Sequence, residues 1–150
     1  MGVYTRYKRN PGGFRQLVEL LEATPKSRRE KMIEVGMKED PTYTQRAMQY
    51  MMSFEDVINL PDMELCEVVC KAPPQITAYA ISKLEETTRD RFVKCALVKP
   101  QVMAAIRDYL GQTVSVHQIG GAQMKLVATA RELERVGLVR TKKIPVNGIE

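Results

Sequence analysis

Apolar positions recur at helical spacing along most of the chain, and proline and glycine fall between the runs. Phe14, Leu17, Val18 and Leu21 stand at i, i+3, i+4 and i+7, which predicts a helix with one buried stripe. Thr24-Pro25 reads as the N-cap and first-turn proline of a second helix, with Met32, Ile33 and Val35 on its buried side and Gly36 as its stop. Asp40-Pro41 repeats the signal and opens a third, with Tyr43, Ala47, Tyr50 and Met51 on one face. Ser53 and Asp56 suit a capping box for a short helix ending near Leu60. Pro61 opens the next, with Leu65, Val68, Val69 and Ala72 inward, and Pro73-Pro74 separates it from a helix carrying Ile76, Ala80 and Leu84. Phe92, Val93, Ala96 and Leu97 define the following one, with Arg91 and Lys94 on its opposite side. Lys99-Pro100 opens a helix to Leu110 that Gly111 closes. A long last helix is expected from about Gly121 to Val136, with Ala122, Leu126, Ala130 and Leu133 inward and Gly137 as its stop.

The stretch Val114 to Val116 is too short to count as a strand, and no strict repeat is present. Short helices with single apolar stripes describe an all-α chain. The expected form is an irregular right-handed superhelix of armadillo- or HEAT-like helices, followed by a C-terminal helical bundle domain. The expected divisions are a polar N-terminal arm (1–11), an armadillo-like helical unit (12–50), a flexible joint (51–54), a C-terminal helical domain (55–138) and a basic tail (139–150).

Composition narrows the function classes. A net charge of +5 over 150 residues fits several anionic partners and selects none of them. No secretory signal and no membrane-spanning run are visible in the sequence. Cys66, Cys70 and Cys95 form no disulfide framework; although Cys66 and Cys70 share a helix face, they read as small buried hydrophobes rather than zinc ligands. His117 is the sole histidine and has no partner for acid–base work near it in sequence. Gly12-Gly13 and Gly120-Gly121 lack the strand–glycine–helix setting of a phosphate-binding loop. The expectation is therefore no enzyme and no cofactor. The cluster Lys26, Arg28, Arg29 and Lys31 is the best nucleic-acid candidate, but Glu30 and Glu34 interleave with it, and a solvated helix face explains it as well. Nucleic acid is not an expected partner. Met48, Met51 and Met52 crowd the joint, and unbranched methionine tolerates repacking there.

Short motifs in order carry a family resemblance. Gly12-Gly13 falls where the flagellar motor switch protein FliG has a Gly-Gly link, and Glu39-Asp40-Pro41 matches its E-D-P helix start. Met51-Met52-Ser53-Phe54-Glu55-Asp56 resembles the family's M-F-x-F-E-D joint, with Met52 in place of a phenylalanine. Thr88-Arg89-Asp90-Arg91-Phe92 is similar to L-R-E-K-F, and Ile106-Arg107-Asp108-Tyr109-Leu110 to L-R-D-D-L or L-R-E-D-L. The segment from Val114 through Gln123 and Arg131-Glu132-Leu133 to Gly137 follows the family's closing helix. From Gly12 to Gly137 the chain thus looks like the C-terminal half of FliG. The E-H-P-Q motif of the family's middle domain is absent from the sequence.

The resemblance implies a rotor and switch-complex component of the bacterial flagellar motor, located at the cytoplasmic face of the basal body. It would transmit torque and switch direction by charged contact with the stator's cytoplasmic loop while binding neighbouring switch proteins. Association with the membrane would be peripheral and only through partners, and self-association by armadillo stacking is implied too. The stator-facing ridge would comprise Lys83, Arg91, Lys94, Lys99, Arg107 and Asp108. The joint would be Met51, Met52, Ser53 and Phe54, and the linker Gly12 and Gly13. The ridge departs from the family where Tyr109 replaces an acidic residue and where Ser82 and Ser115 occupy basic positions. Those departures leave a second reading, a FliG-like helical adaptor or regulatory module without a torque role. A basic helical nucleic-acid-binding domain is the third.

Overall fold

The computed structural model describes residues 2–145, which divide into two compact units. Residues 2–52 with 142–145 make unit 1, and residues 53–141 make unit 2. Among the described residues all regular structure is helical.

Unit 1 holds α1 (Val3–Arg9), α2 (Gly13–Ala23), α3 (Lys26–Glu39) and α4 (Pro41–Tyr50). The expected stripe of α2 is its core: Phe14, Leu17, Val18 and Leu21 are buried against Tyr4, Tyr43, Ala47 and Ile144. Phe14 stacks on Tyr43 at 5.5 Å and meets Tyr50 edge-on at 5.9 Å. Asp40 caps α4 by accepting from the Tyr43 amide at 3.2 Å, and Pro41 fills the first turn. That amide, with the Lys8 ammonium 3.1 Å away, holds the Asp40 carboxyl below its usual range.

Three features of unit 1 differ from expectation. The segment read as a polar arm is helix α1, whose Tyr4 ring is buried and whose hydroxyl donates to the Met32 carbonyl at 2.5 Å. Gly36 does not stop α3. It lies buried inside the helix, where a Cβ would strike the Tyr4 ring and the Thr44 hydroxyl, so its role is close approach. Val35, expected inward, is mostly exposed. The α1–α2 turn needs glycine for conformation, since Gly12 is left-handed at φ 73°, and Gly13 sits against the Tyr7 carbonyl with no room for a side chain.

Unit 2 holds α5 (Phe54–Ile58), α6 (Asp62–Lys71), α7 (Pro74–Ile81), α8 (Glu86–Lys94), α9 (Pro100–Leu110) and α10 (Val116–Arg135). Helix α10 runs through its middle, packing on α5, α6 and α7, while α7 also packs on α9 and α8. Leu65, Val68, Val69, Phe92, Ile106, Leu126 and Ala130 are buried there. The expected capping box of α5 is present, with the Asp56 amide donating to Ser53 Oγ at 3.1 Å and the Ser53 amide to Asp56 Oδ2 at 2.9 Å.

The last helix begins earlier than expected, at Val116. Ser115 and Gln118 form a second capping box, and Gly120-Gly121 lie inside the helix. His117 is in the first turn of α10 and exposed. Leu97 is exposed rather than inward, because α8 ends at Lys94 and the following turns carry Leu97 and Val98 to solvent. Arg131 and Glu134, one turn apart on α10, make a fully buried ion pair at 2.8 Å. Among the described residues, the Thr77 hydroxyl on α7 is buried with no hydrogen-bond partner. Thr77→Val keeps the shape and removes an unsatisfied group, so the urea midpoint should rise, corresponding to about 1 kcal/mol of added stability.

The segment read as a basic tail is not a loose appendage over its described part. The Leu138 amide closes back on the Leu133 carbonyl at 2.9 Å after left-handed Gly137, and Val139 is buried in unit 2. Ile144 belongs to the core of unit 1.

Candidate functional site

The six ridge residues all lie in unit 2, but the structure treats them differently. Lys83, Lys94, Lys99, Arg107 and Asp108 are exposed, and none takes part in an ion pair among the described residues. Arg91 is turned inward. Its guanidinium donates to the Ile58 carbonyl at 2.7 Å, to the Leu60 carbonyl, and to Asp62 Oδ1 at 2.8 and 3.0 Å. A planar fork with fixed donors suits that task, tying the C-terminal end of α5 and the start of α6 to α8. Arg91 therefore acts as an internal brace in this structure.

Lys94 and Arg107 come together. With Asp90, Val93 and Leu110 they line an open concavity of about 330 Å³ between α8 and α9. Asp90 was not anticipated, although its place four residues before Lys94 on α8 was a readable sign that the two share a face. Lys94 also borders a second concavity of about 430 Å³, lined further by Asp62, Cys66, Thr87, Arg91 and Cys95. Lys83 follows α7, Lys99 precedes α9, and Asp108 lies near the end of α9.

The three sequence departures have local structural employment. Tyr109 meets Tyr79 of α7 edge-on at 6.2 Å, and the Tyr79 hydroxyl donates to Gln112 Oε1 at 2.9 Å. Ser115 caps α10. Ser82 closes α7, its hydroxyl donating to the Tyr79 carbonyl at 3.0 Å. A charged residue at any of these places would forfeit that contact.

Charge is unevenly divided. Residues 53–141 carry eleven Lys and Arg against eleven Asp and Glu, so the whole +5 excess lies outside unit 2. Unit 2 thus has no net charge, and each of its exposed charges is felt over roughly the Debye length of 8 Å.

The joint residues fall on both sides of the division between units. Met51 follows α4 as its C-cap, and Met52 is 2% exposed with its amide donating to Glu22 Oε2 of α2 at 2.6 Å. Ser53 caps α5, and half-buried Phe54 opens that helix. The first stretch of unit 1 therefore ends on a residue anchored by a buried carboxylate, and unit 2 begins on a helix-capping one.

The thiols are all free: Cys66 and Cys70 are half-buried and Cys95 is buried. Burial first, then the hydrogen bond with Cys66, pushes the Cys95 thiol up to about 12. At neutral pH it is protonated and a poor nucleophile. On brief treatment with iodoacetamide, mass spectrometry should find Cys66 and Cys70 alkylated well before Cys95; equal labelling of all three would contradict the burial. Among the described residues no group of three or more His, Cys, Asp or Glu converges to hold a metal ion. No helix among them is long and apolar enough to cross a membrane.

Comparison with known proteins adds a family. A model of the FliG C-terminal domain matches residues 37–140. A crystal structure of a FliG fragment from H. pylori is 19% identical with a TM-score of 0.58, covering 93% of this chain and 66% of that one. A shorter H. pylori FliG fragment is 20% identical with a TM-score of 0.54, covering 88% and 58%. Full-length FliG from Aquifex aeolicus is 25% identical with a TM-score of 0.51, covering 83% of this chain and 39% of that one. The chain thus spans less than two thirds of the length of each, and these likenesses confirm the all-α fold. No curated protein matches the chain.

Proposed function

This chain belongs to the FliG C-terminal domain family, and we propose on that footing that it is a rotor and switch component of the bacterial flagellar motor. In this reading it works at the cytoplasmic face of the basal body, binds neighbouring switch proteins, and meets the stator's cytoplasmic loop with unit 2. Met51 to Phe54 serve as the joint about which unit 2 turns against unit 1 when direction switches. Armadillo stacking of unit 1 on neighbouring copies fits the same reading, and contact with the membrane is only through partners.

The observation that carries the reading is the exposed trio Asp90, Lys94 and Arg107 on α8 and α9 of a chain with this family's domain. Two cations and one anion on adjacent helices can exchange partners with a loop of mixed charge as it passes. Exposed pairs are individually weak, and that suits contacts that must form and release. Arg91 is withdrawn from the proposed ridge, which keeps Lys83, Lys94, Lys99, Arg107 and Asp108 and gains Asp90.

Charge reversal tests the reading. Lys94→Glu with Arg107→Glu should slow association with a stator-loop peptide by roughly tenfold or more at low salt. The same variant should stop or slow swimming in a complemented deletion strain, while thermal stability stays within about 0.5 kcal/mol of the parent because both side chains are exposed. Unaltered swimming and unaltered peptide binding would sink the torque role. They would favour the second reading, an adaptor without torque, which draws on the structural employment of Ser82, Tyr109 and Ser115.

A further inference from the structure

The C-terminal segment is fixed in one unit and then, within a few residues, in the other. In unit 2, Glu64 Oε1 of α6 accepts from the Arg140 amide at 3.1 Å, the Thr141 amide at 3.1 Å and the Thr141 hydroxyl at 2.9 Å. Val139, just before them, is 1% exposed. In unit 1, Lys142 Nζ donates to the Gln49 carbonyl in the last turn of α4 at 2.9 Å, and Ile144 is 4% exposed in the aromatic core. The backbone therefore leaves unit 1 at Met52–Ser53 and returns to it at Thr141–Lys142.

Lys142, the first residue after the return, is left-handed at φ 57°, the one residue other than glycine with positive φ among those described. A lysine holds that conformation at a cost, and its surroundings must impose it. Here the Glu64 clamp fixes the residues before it, and the Gln49 and Ile144 contacts fix those after it. From Thr141 to Ile144 there are three residue steps, which even fully extended reach only about 10 Å.

We propose that residues 139–144 are a strap, a second tether that limits rotation of the two units about the Met52–Ser53 joint. The geometry is elementary. One short covalent tether lets a body swivel in all directions, whereas two leave it a single hinge axis through both attachments. The strap converts a swivel into a hinge, and losing either anchor restores the swivel. The proposal rests on the joint reading above, and it does not depend on what unit 2 touches.

The test is a distance distribution from pulsed electron paramagnetic resonance on the full chain. Spin-labelled unnatural residues would replace Gln45 of unit 1 and Gln101 of unit 2, both exposed, leaving the cysteines alone. Glu64→Ala releases Arg140 and Thr141, which lengthens the free strap back to Val139 without touching the core of unit 1, and Ile144→Asp expels it from unit 1. Each should give a distribution roughly twofold broader than the parent, with helix content by circular dichroism retained, while Glu64→Gln keeps an acceptor and stays narrow. A Gly-Gly insertion between Met52 and Ser53 separates the two ideas. Inserted alone it lengthens one tether and should broaden the distribution only in part, because the strap still holds one point; combined with Glu64→Ala it should broaden it further. An insertion as broad alone as in the combination overturns the strap, as does no broadening in the combined variant. A narrow Glu64→Ala distribution that broadens only with the insertion instead overturns the flexible joint and keeps the strap.

Discussion

Glu134→Ala should lower the unfolding free energy by about 3–5 kcal/mol, the largest loss expected from a single substitution in unit 2. Both members of the Arg131–Glu134 pair are almost wholly out of water, with side chains 2% and 1% exposed. Removing the carboxylate leaves a buried guanidinium with weakened compensation, and desolvated charge is far costlier than lost packing. The pair itself need not stabilise the fold, because taking two charges out of water offsets their attraction. Hence the diagnostic experiment is the double replacement, Arg131→Met with Glu134→Leu. Urea denaturation should show it recovering most of the loss, ending near the parent or above it. A single variant costing under about 1 kcal/mol would mean that water reaches the pair after all.

Arg91→Ala should cost about 2–3 kcal/mol, and Arg91→Lys should recover only part of it. The guanidinium serves two carbonyls and one carboxylate at once, and a lysine ammonium cannot reproduce that planar set. A residue whose job was contact with a passing partner would behave otherwise: its loss would leave the urea midpoint unmoved and lower only binding. Measuring stability and stator-peptide binding on the same two variants therefore distinguishes a brace from a contact. A midpoint shift worth less than about 0.5 kcal/mol for Arg91→Ala would return the residue to the surface ridge.

What was legible in the sequence was whatever is written locally. The stripe of α2, the capping box of α5 and the inward faces of α6 and α10 follow from spacing and caps, and they stand in the structure as read. Helix α1 was missed because three basic residues surround its one buried ring, Tyr4, so composition outweighed the signal. Glycine misled twice. Gly36 and the Gly120-Gly121 pair were read as punctuation, yet they lie within helices, the former to admit Tyr4. For α10 the better signal was present, since Ser115 with Gln118 three residues later is a capping box.

The candidate site was less legible than the fold, for a physical reason. Whether a cation faces solvent or a carbonyl depends on elements distant in sequence. Arg91 finds its acceptors 29 to 33 positions earlier in the chain, and no helical wheel of α8 contains them. The same holds for Ile144, whose apolar character in a basic stretch gives no indication of the core it joins. Lys94 and Arg107 belong to different helices, and only the packing of α8 on α9 brings them to one concavity.

The place of Ile144 also sets an order of assembly during synthesis. Unit 2 is one continuous stretch and can complete itself as it emerges from the ribosome. Unit 1 is interrupted, and the last member of its core arrives after residues 53–141 have been made. At ~5–20 residues per second that wait is about 4–18 s, far longer than a helical unit needs to fold. The N-terminal helices therefore spend that interval with one position of their core unfilled. Vectorial synthesis would favour closure of this chain from its later-made unit back to its earlier one.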